Sequence, residues 1–148
     1  MPLDAQQITP LVRKWRERLG LHDWQISFEI SPLPEEVAAR THANGDYRRA
    51  GITFNTDFEK GSMWGTLSLE QIVVHELLHV RLAGIDAAVR DFCDTVAGNG
   101  IIGKQGRERV DHECEVLCDS LSLSLLEQWP NETLRDQPPA PPADTQST

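Results

Sequence analysis

The feature that most constrains this fold is segment 68–83, whose pattern predicts a helix packed inside a hydrophobic core. Ser68, with Gln71 three residues later, matches a capping box that starts a helix. The helix is expected to end near Ala83, before Gly84. Its apolar residues are Ile72, Val73, Val74, Leu77, Leu78 and Val80. A helix this apolar has to be covered by other elements, which the rest of the chain must supply.

Three polar residues interrupt this apolar helix as the string His75-Glu76-Leu77-Leu78-His79. Two histidines four residues apart project from one helix face, so both imidazoles can reach one Zn²⁺ at about 2.0–2.1 Å. Glu76 lies beside the first histidine and can accept a proton from a metal-bound water as general base. The alternative is that these side chains form only the polar edge of a core helix.

A third metal ligand has to come from another element, and Glu113 is the candidate that we choose. It falls on the predicted apolar stripe of the last helix, where an unpaired carboxylate would be costly to bury. His112 and Glu115 are the nearest alternatives, and Asp119 is a further one. Asp119 is also a candidate for orienting a histidine ligand. Tyr47 and His112 are candidates for stabilising an oxyanion.

The residues before the apolar helix predict one helix and three strands. Thr9 as cap and Pro10 in the first turn indicate a helix over 11–20, although a start near Asp4 also fits the sequence. Alternating apolar and polar residues predict a strand over 24–30. A weaker strand over 37–42 and a turn at 44–46 precede a third strand over 50–55. This order favours an α+β domain with the sheet packed on the long helices.

The residues after Gly84 predict a short helix over 86–97, a mobile glycine-rich loop over 98–106 and a helix over 107–128. The apolar stripe of that last helix is expected to comprise Val110, Glu113 or Cys114, Leu117, Leu121 and Leu125. One domain over 1–129 is therefore expected, followed by a proline-rich tail over 130–148 that we expect to be disordered.

Composition narrows the functional classes. The 148 residues carry a formal net charge of −9, which opposes binding to nucleic-acid backbones. No apolar stretch is long enough to span a membrane, and no secretory signal is visible, so a cytoplasmic protein is expected. The cysteines, Cys93, Cys114 and Cys118, are expected to be reduced, with Cys114 and Cys118 acting as small apolar residues. The sequence leaves the oligomeric state open.

The motif helix, together with the acidic segment His112-Glu113-Cys114-Glu115-Val116-Leu117, resembles the minimal gluzincin-type metallopeptidases of phages and bacteria. Segment 19–26 also resembles their N-terminal part, and the ImmA/IrrE-like and SprT-like zincins are related groups. The chain lacks the Glu-Ala-Asp-x-Phe-Ala string of many ImmA/IrrE-like proteins and the third motif histidine of metzincins.

The resemblance implies a minimal zincin-like fold in which His75, His79 and a glutamate on the following helix bind zinc and Glu76 is the general base. It implies a zinc-dependent peptidase that acts on a protein or peptide. In such enzymes one strand pairs with the extended substrate, and the strand over 50–55 is our candidate because it precedes the motif helix. The alternative function is a phage or prophage regulatory module that binds zinc and acts through a protein partner without proteolysis.

Overall fold

The computed structural model describes residues 3–56, 67–98 and 100–129. The elements, in chain order, are α1 (Ala5–Arg18), β1 (Gln25–Ser31), β2 (Ala39–Asn44), β3 (Arg49–Asn55), α2 (Leu69–Ala97) and α3 (Ile101–Gln128). Three helices and one small mixed sheet confirm the predicted α+β class. The predicted tail over 130–148 lies outside the described residues.

Helix α1 begins earlier than its proline suggests. Asp4 is the N-cap: its carboxylate accepts from the backbone N–H of Gln6 at 3.2 Å, while its own N–H donates to Oε1 of Gln7 at 3.0 Å. This reciprocal pair is a capping box, so the start near Asp4 is confirmed and the cap at Thr9 was wrong. The Thr9 hydroxyl instead donates to the carbonyl of Ala5 within the helix.

The sheet has the strand order β1-β3-β2, with β3 parallel to β1 and antiparallel to β2. Strand β3 therefore lies in the centre, and its buried Ala50, Ile52 and Phe54 pack into the core. A central strand is paired on both sides and cannot accept a further strand. The choice of residues 50–55 as the strand that pairs with substrate was therefore wrong for this topology.

Helix α2 continues for 29 residues and does not end at Ala83, so the predicted end was wrong and the predicted helix over 86–97 is its second half. Ser68 caps it as expected, accepting from the N–H of Gln71 at 3.1 Å. An interior glycine costs a helix only about 1 kcal/mol relative to alanine, which packing can offset. The turn after β2 lies against Gly84. A Cβ atom built on Gly45, in that turn, would be 3.5 Å from the Cα atom of Gly84.

Helix α3 begins at Ile101, so the mobile loop predicted over 98–106 was wrong. Its glycines serve close packing. A Cβ on the buried Gly103 would lie 1.9 Å from the carbonyl oxygen of Gly98, which no side chain could tolerate. Gly98 itself has φ of +61°, a backbone conformation that favours glycine. Glycine here therefore permits a tight helical hairpin.

The buried face of α3 also differs from the predicted stripe. Cys118 and Ser122 are buried, whereas Leu117 and Leu121 are 44% and 36% exposed. Small side chains along the contact let the axes of two helices approach closely, and the larger leucines are left outside. The expected role of Cys118 as a small buried apolar residue is confirmed. This rotation of α3 determines which of its carboxylates face α2.

Candidate metal centre

The two motif histidines lie on the partly buried face of α2 that opens towards α3. Their Nε2 atoms are 3.0 Å apart, and their side chains are only 17% and 22% exposed. The spacing of four residues thus brings both rings to one point, as the sequence predicts for His75 and His79. Two ring nitrogens at this distance can share a cation or a single proton.

Glu115, on α3, completes a cluster of three donors. Its Oε2 lies 3.3 Å from Nε2 of His75, and its Oε1 lies 3.4 Å from Nε2 of His79. At Zn–N and Zn–O bond lengths of about 2.0–2.2 Å, the corners of a tetrahedron are about 3.3–3.6 Å apart. With one donor atom from each side chain, the three donors lie within 4.8 Å of one another, so these residue types and their placement suit a zinc ion. The Glu115 side chain is 60% exposed, so the cluster borders solvent.

Glu113, the predicted third ligand, is not part of this cluster. It is exposed, and its carboxylate pairs with Arg109 one turn earlier on the same helix. Two residues correspond to about 200° of helix rotation, so Glu113 and Glu115 cannot face the same point. The prediction of Glu113 assumed a different buried face of α3, whereas the structure brings the alternative, Glu115, to the two histidines. His112, the other alternative, is also exposed.

Asp119 lies one turn after Glu115 and contacts His75 at Nδ1, the ring nitrogen that does not face the cluster. Its Oδ1 is 2.9 Å from Nδ1 of His75. Because a carboxylate only accepts, Nδ1 carries the hydrogen in this contact, which leaves the Nε2 lone pair for the centre of the cluster. This is the orienting role that the sequence analysis considered for Asp119.

Glu76 is buried between α2 and the sheet, with only 6% of its surface exposed. Its Oε2 accepts a hydrogen bond of 2.6 Å from the hydroxyl of Thr41 on β2. Burial raises the pKa of this carboxyl, and the hydrogen bond and the two histidines oppose that rise. A raised pKa brings a carboxylate closer to the range in which it exchanges protons efficiently near neutral pH.

The field within the cluster favours a cation. Hydrogen bonds from the two histidines hold the pKa of Glu115 well below its usual range. Burial alone would lower the pKa of His75, but the surrounding carboxylates raise it. Burial also raises the pKa of the nearby Cys118 thiol to about 12.

A cleft of about 1220 Å³ includes the cluster, and residues of β2, α2 and α3 line it. Tyr47, a candidate oxyanion donor, is 74% exposed and is not among the residues that line the cleft. The other candidate, His112, does not line it either. Within the described residues, the structure thus brings neither to the cluster.

Thr41 is the residue at this site that sequence reasoning missed. It is 35 residues from Glu76 along the chain and lies on the strand that was predicted only weakly. The alternation of β2, in which Thr41 is half-buried between the exposed Arg40 and His42, is the one signal that could have pointed to it.

Comparisons of the chain with protein-family models, curated proteins and solved structures give no match. Among the residues that the structure describes, no helix has both the length and the apolar character needed to cross a membrane.

Proposed function

We propose that the protein is a zinc-dependent metallopeptidase in which His75, His79 and Glu115 bind the metal. The observation that carries this proposal is the cluster of His75, His79 and Glu115 on two different helices, in which one donor atom from each side chain lies within 4.8 Å of the others. Zinc in such a site supplies a bound water of lowered pKa and polarises the carbonyl of a peptide bond.

The chain supplies the base for this hydrolysis. Glu76 follows the first ligand directly and lines the same cleft as the three donors. Its carboxylate takes the proton of the attacking water at Oε1, the oxygen not held by Thr41, and then delivers it to the leaving amine. Asp119 keeps His75 in the tautomer that binds metal through Nε2.

The substrate would lie along β2. This strand is an edge of the described sheet and lines the same cleft as the proposed metal ligands. An extended peptide can pair with the free edge of such a strand through main-chain hydrogen bonds. The topology therefore favours Ala39–Asn44 for this role in place of residues 50–55.

The test combines metal content with hydrolysis. The full chain is loaded with zinc and assayed on a library of quenched-fluorescent peptides, together with the variants Glu76→Gln, Glu115→Ala and Glu113→Ala. We expect Glu76→Gln to hold one zinc and to lose more than about 100-fold in rate, as loss of a general base does. Glu115→Ala should lose zinc affinity by more than about 100-fold, since loss of a direct ligand should exceed the 10–100-fold effect of an outer-shell change. Glu113→Ala should resemble the wild type.

Two outcomes would contradict the proposal. Full zinc binding by Glu115→Ala would remove the ligand assignment. Zinc binding without hydrolysis of any peptide, and with a cellular effect that survives Glu76→Gln, would favour the regulatory module that acts through a protein partner.

A further inference from the structure

The hydrogen bond between Thr41 and Glu76 connects the wall of the cleft to the proposed base. At 2.6 Å it falls within the 2.5–2.7 Å expected of a hydroxyl that donates to a charged carboxylate. The same hydroxyl lies 3.3 Å from the backbone carbonyl of Glu76, but it has one hydrogen, and the shorter contact is to the carboxylate. The bond therefore holds one specific oxygen, Oε2.

A glutamate side chain has several rotatable bonds, and fixing them costs conformational entropy. For a base at this position, only some side-chain rotamers would direct a carboxylate oxygen towards the attacking water. A donor on the rigid strand selects among them. Since Thr41 occupies Oε2, the other oxygen, Oε1, is left for the water.

We infer that Thr41 is a positioning residue, which orients the Glu76 carboxylate for the hydrolysis proposed above. This inference rests on the proposed function. Because β2 is also the strand along which the substrate would lie, Thr41 ties the base to the same strand that places the peptide. The distance between the Glu76 carboxylate and the scissile bond would then depend on one strand, β2, which both pairs with the peptide and carries the Thr41 hydroxyl that holds Glu76.

The test uses Thr41→Val, which keeps the shape of the side chain and removes the donor, and Thr41→Ser, which keeps the donor. Thr53→Val is the matched control, because the Thr53 hydroxyl donates to Glu29 at 3.2 Å on the outer, exposed face of the sheet. All variants are assayed as zinc-loaded full chains on the peptide that the wild type cleaves fastest.

We expect kcat of Thr41→Val to fall about 10- to 100-fold with KM and zinc content unchanged, since small misplacements of a catalytic group have effects of this order. Thr41→Ser should recover most of the rate, and Thr53→Val should equal the wild type. An unchanged kcat in Thr41→Val would overturn the inference. Equal losses in Thr41→Val and Thr41→Ser would also overturn it, because a loss independent of the hydroxyl would be a packing effect.

A second measurement separates this inference from the proposed function. In protein labelled with ¹³C at the glutamate carboxyls, the Glu76 resonance is assigned by its absence from Glu76→Gln. It should shift in Thr41→Val and stay in place in Thr53→Val. If the wild type cleaves no peptide, the peptidase proposal fails, while a shifted resonance still supports the orienting bond. A resonance that does not move in Thr41→Val refutes the bond in either case.

Discussion

The two halves of α2 belong to one continuous helix but are stabilised in different ways. The first half, up to Ala83, contains every buried residue of the helix, among them Val73, Val74 and Leu77. In the second half, residues 84–97, no side chain is buried, and Ile85, Phe92 and Val96 are each at least 65% exposed. Residues of the sheet and of α1 share the hydrophobic core with the first half.

Ion pairs join the second half of α2 to α3. Arg90 bonds to Asp86 on its own helix and to Asp111 on α3, and Arg107 on α3 bonds to Asp94 on α2. Exposed pairs of this kind contribute little to stability, while buried apolar side chains contribute several kcal/mol each. The two histidines of the proposed metal site lie in the half that contains the buried residues, as the precise geometry of such a site requires.

The largest effect should come from shortening a buried side chain in the first half. Leu77→Ala removes a fully buried side chain and should lower the free energy of unfolding by about 2–5 kcal/mol. Phe92→Ala, in the second half, should change it by no more than about 0.5 kcal/mol, because Phe92 is 65% exposed. Chemical denaturation of both variants measures the contrast. Similar losses would show that the second half is covered by another surface in solution.

An intermediate effect is expected at the proposed metal centre. Asp119→Asn weakens the contact that orients His75 and should lower zinc affinity about 10- to 100-fold. Asp111→Asn changes an acidic residue eight positions earlier on α3, beside the second half of α2, and should leave zinc affinity unchanged. Titration with a competing chelator measures both. A loss of affinity in Asp111→Asn that equals the loss in Asp119→Asn would indicate a general effect of charge in place of an oriented ligand.

The smallest effect should come from the ion pairs of the second half. Arg90→Met removes the charged group between Asp86 and Asp111 and should cost about 0.2–1 kcal/mol in low salt. Because salt screens exposed pairs, the difference from the wild type should shrink towards 1 M NaCl. Thermal unfolding at two salt concentrations measures it. A difference that does not change with salt would show that Arg90 acts through packing and not through its charge.

The paired histidines could be predicted from local sequence, because a spacing of four in a helix places two side chains on one face whatever surrounds it. The same local reasoning placed β1 and β3 within one residue of their observed bounds. Local reasoning did not identify the correct helix end where two residues or two roles fitted the same sequence. Asp4 and Thr9 could each cap α1, and Gly84 could end a helix or lie inside one.

The choice between Glu113 and Glu115 shows why contacts between distant elements could not be predicted from local sequence. Leucines at 117 and 121 favoured one face of α3 by hydrophobicity, whereas Cys118 and Ser122 allow the close approach to α2 that the fold adopts. The apolar residues of α3 are compatible with burying either of these two faces, and only the packing of α3 against α2 selects between them.

By itself, the sequence determined the motif helix, its two imidazoles and the neighbouring carboxylate, since helix periodicity is a local property of the backbone. The tertiary structure alone decided that Glu115 faces those imidazoles and that Thr41 holds Glu76. Both contacts join elements far apart in the chain, and their geometry depends on how helices and strands pack.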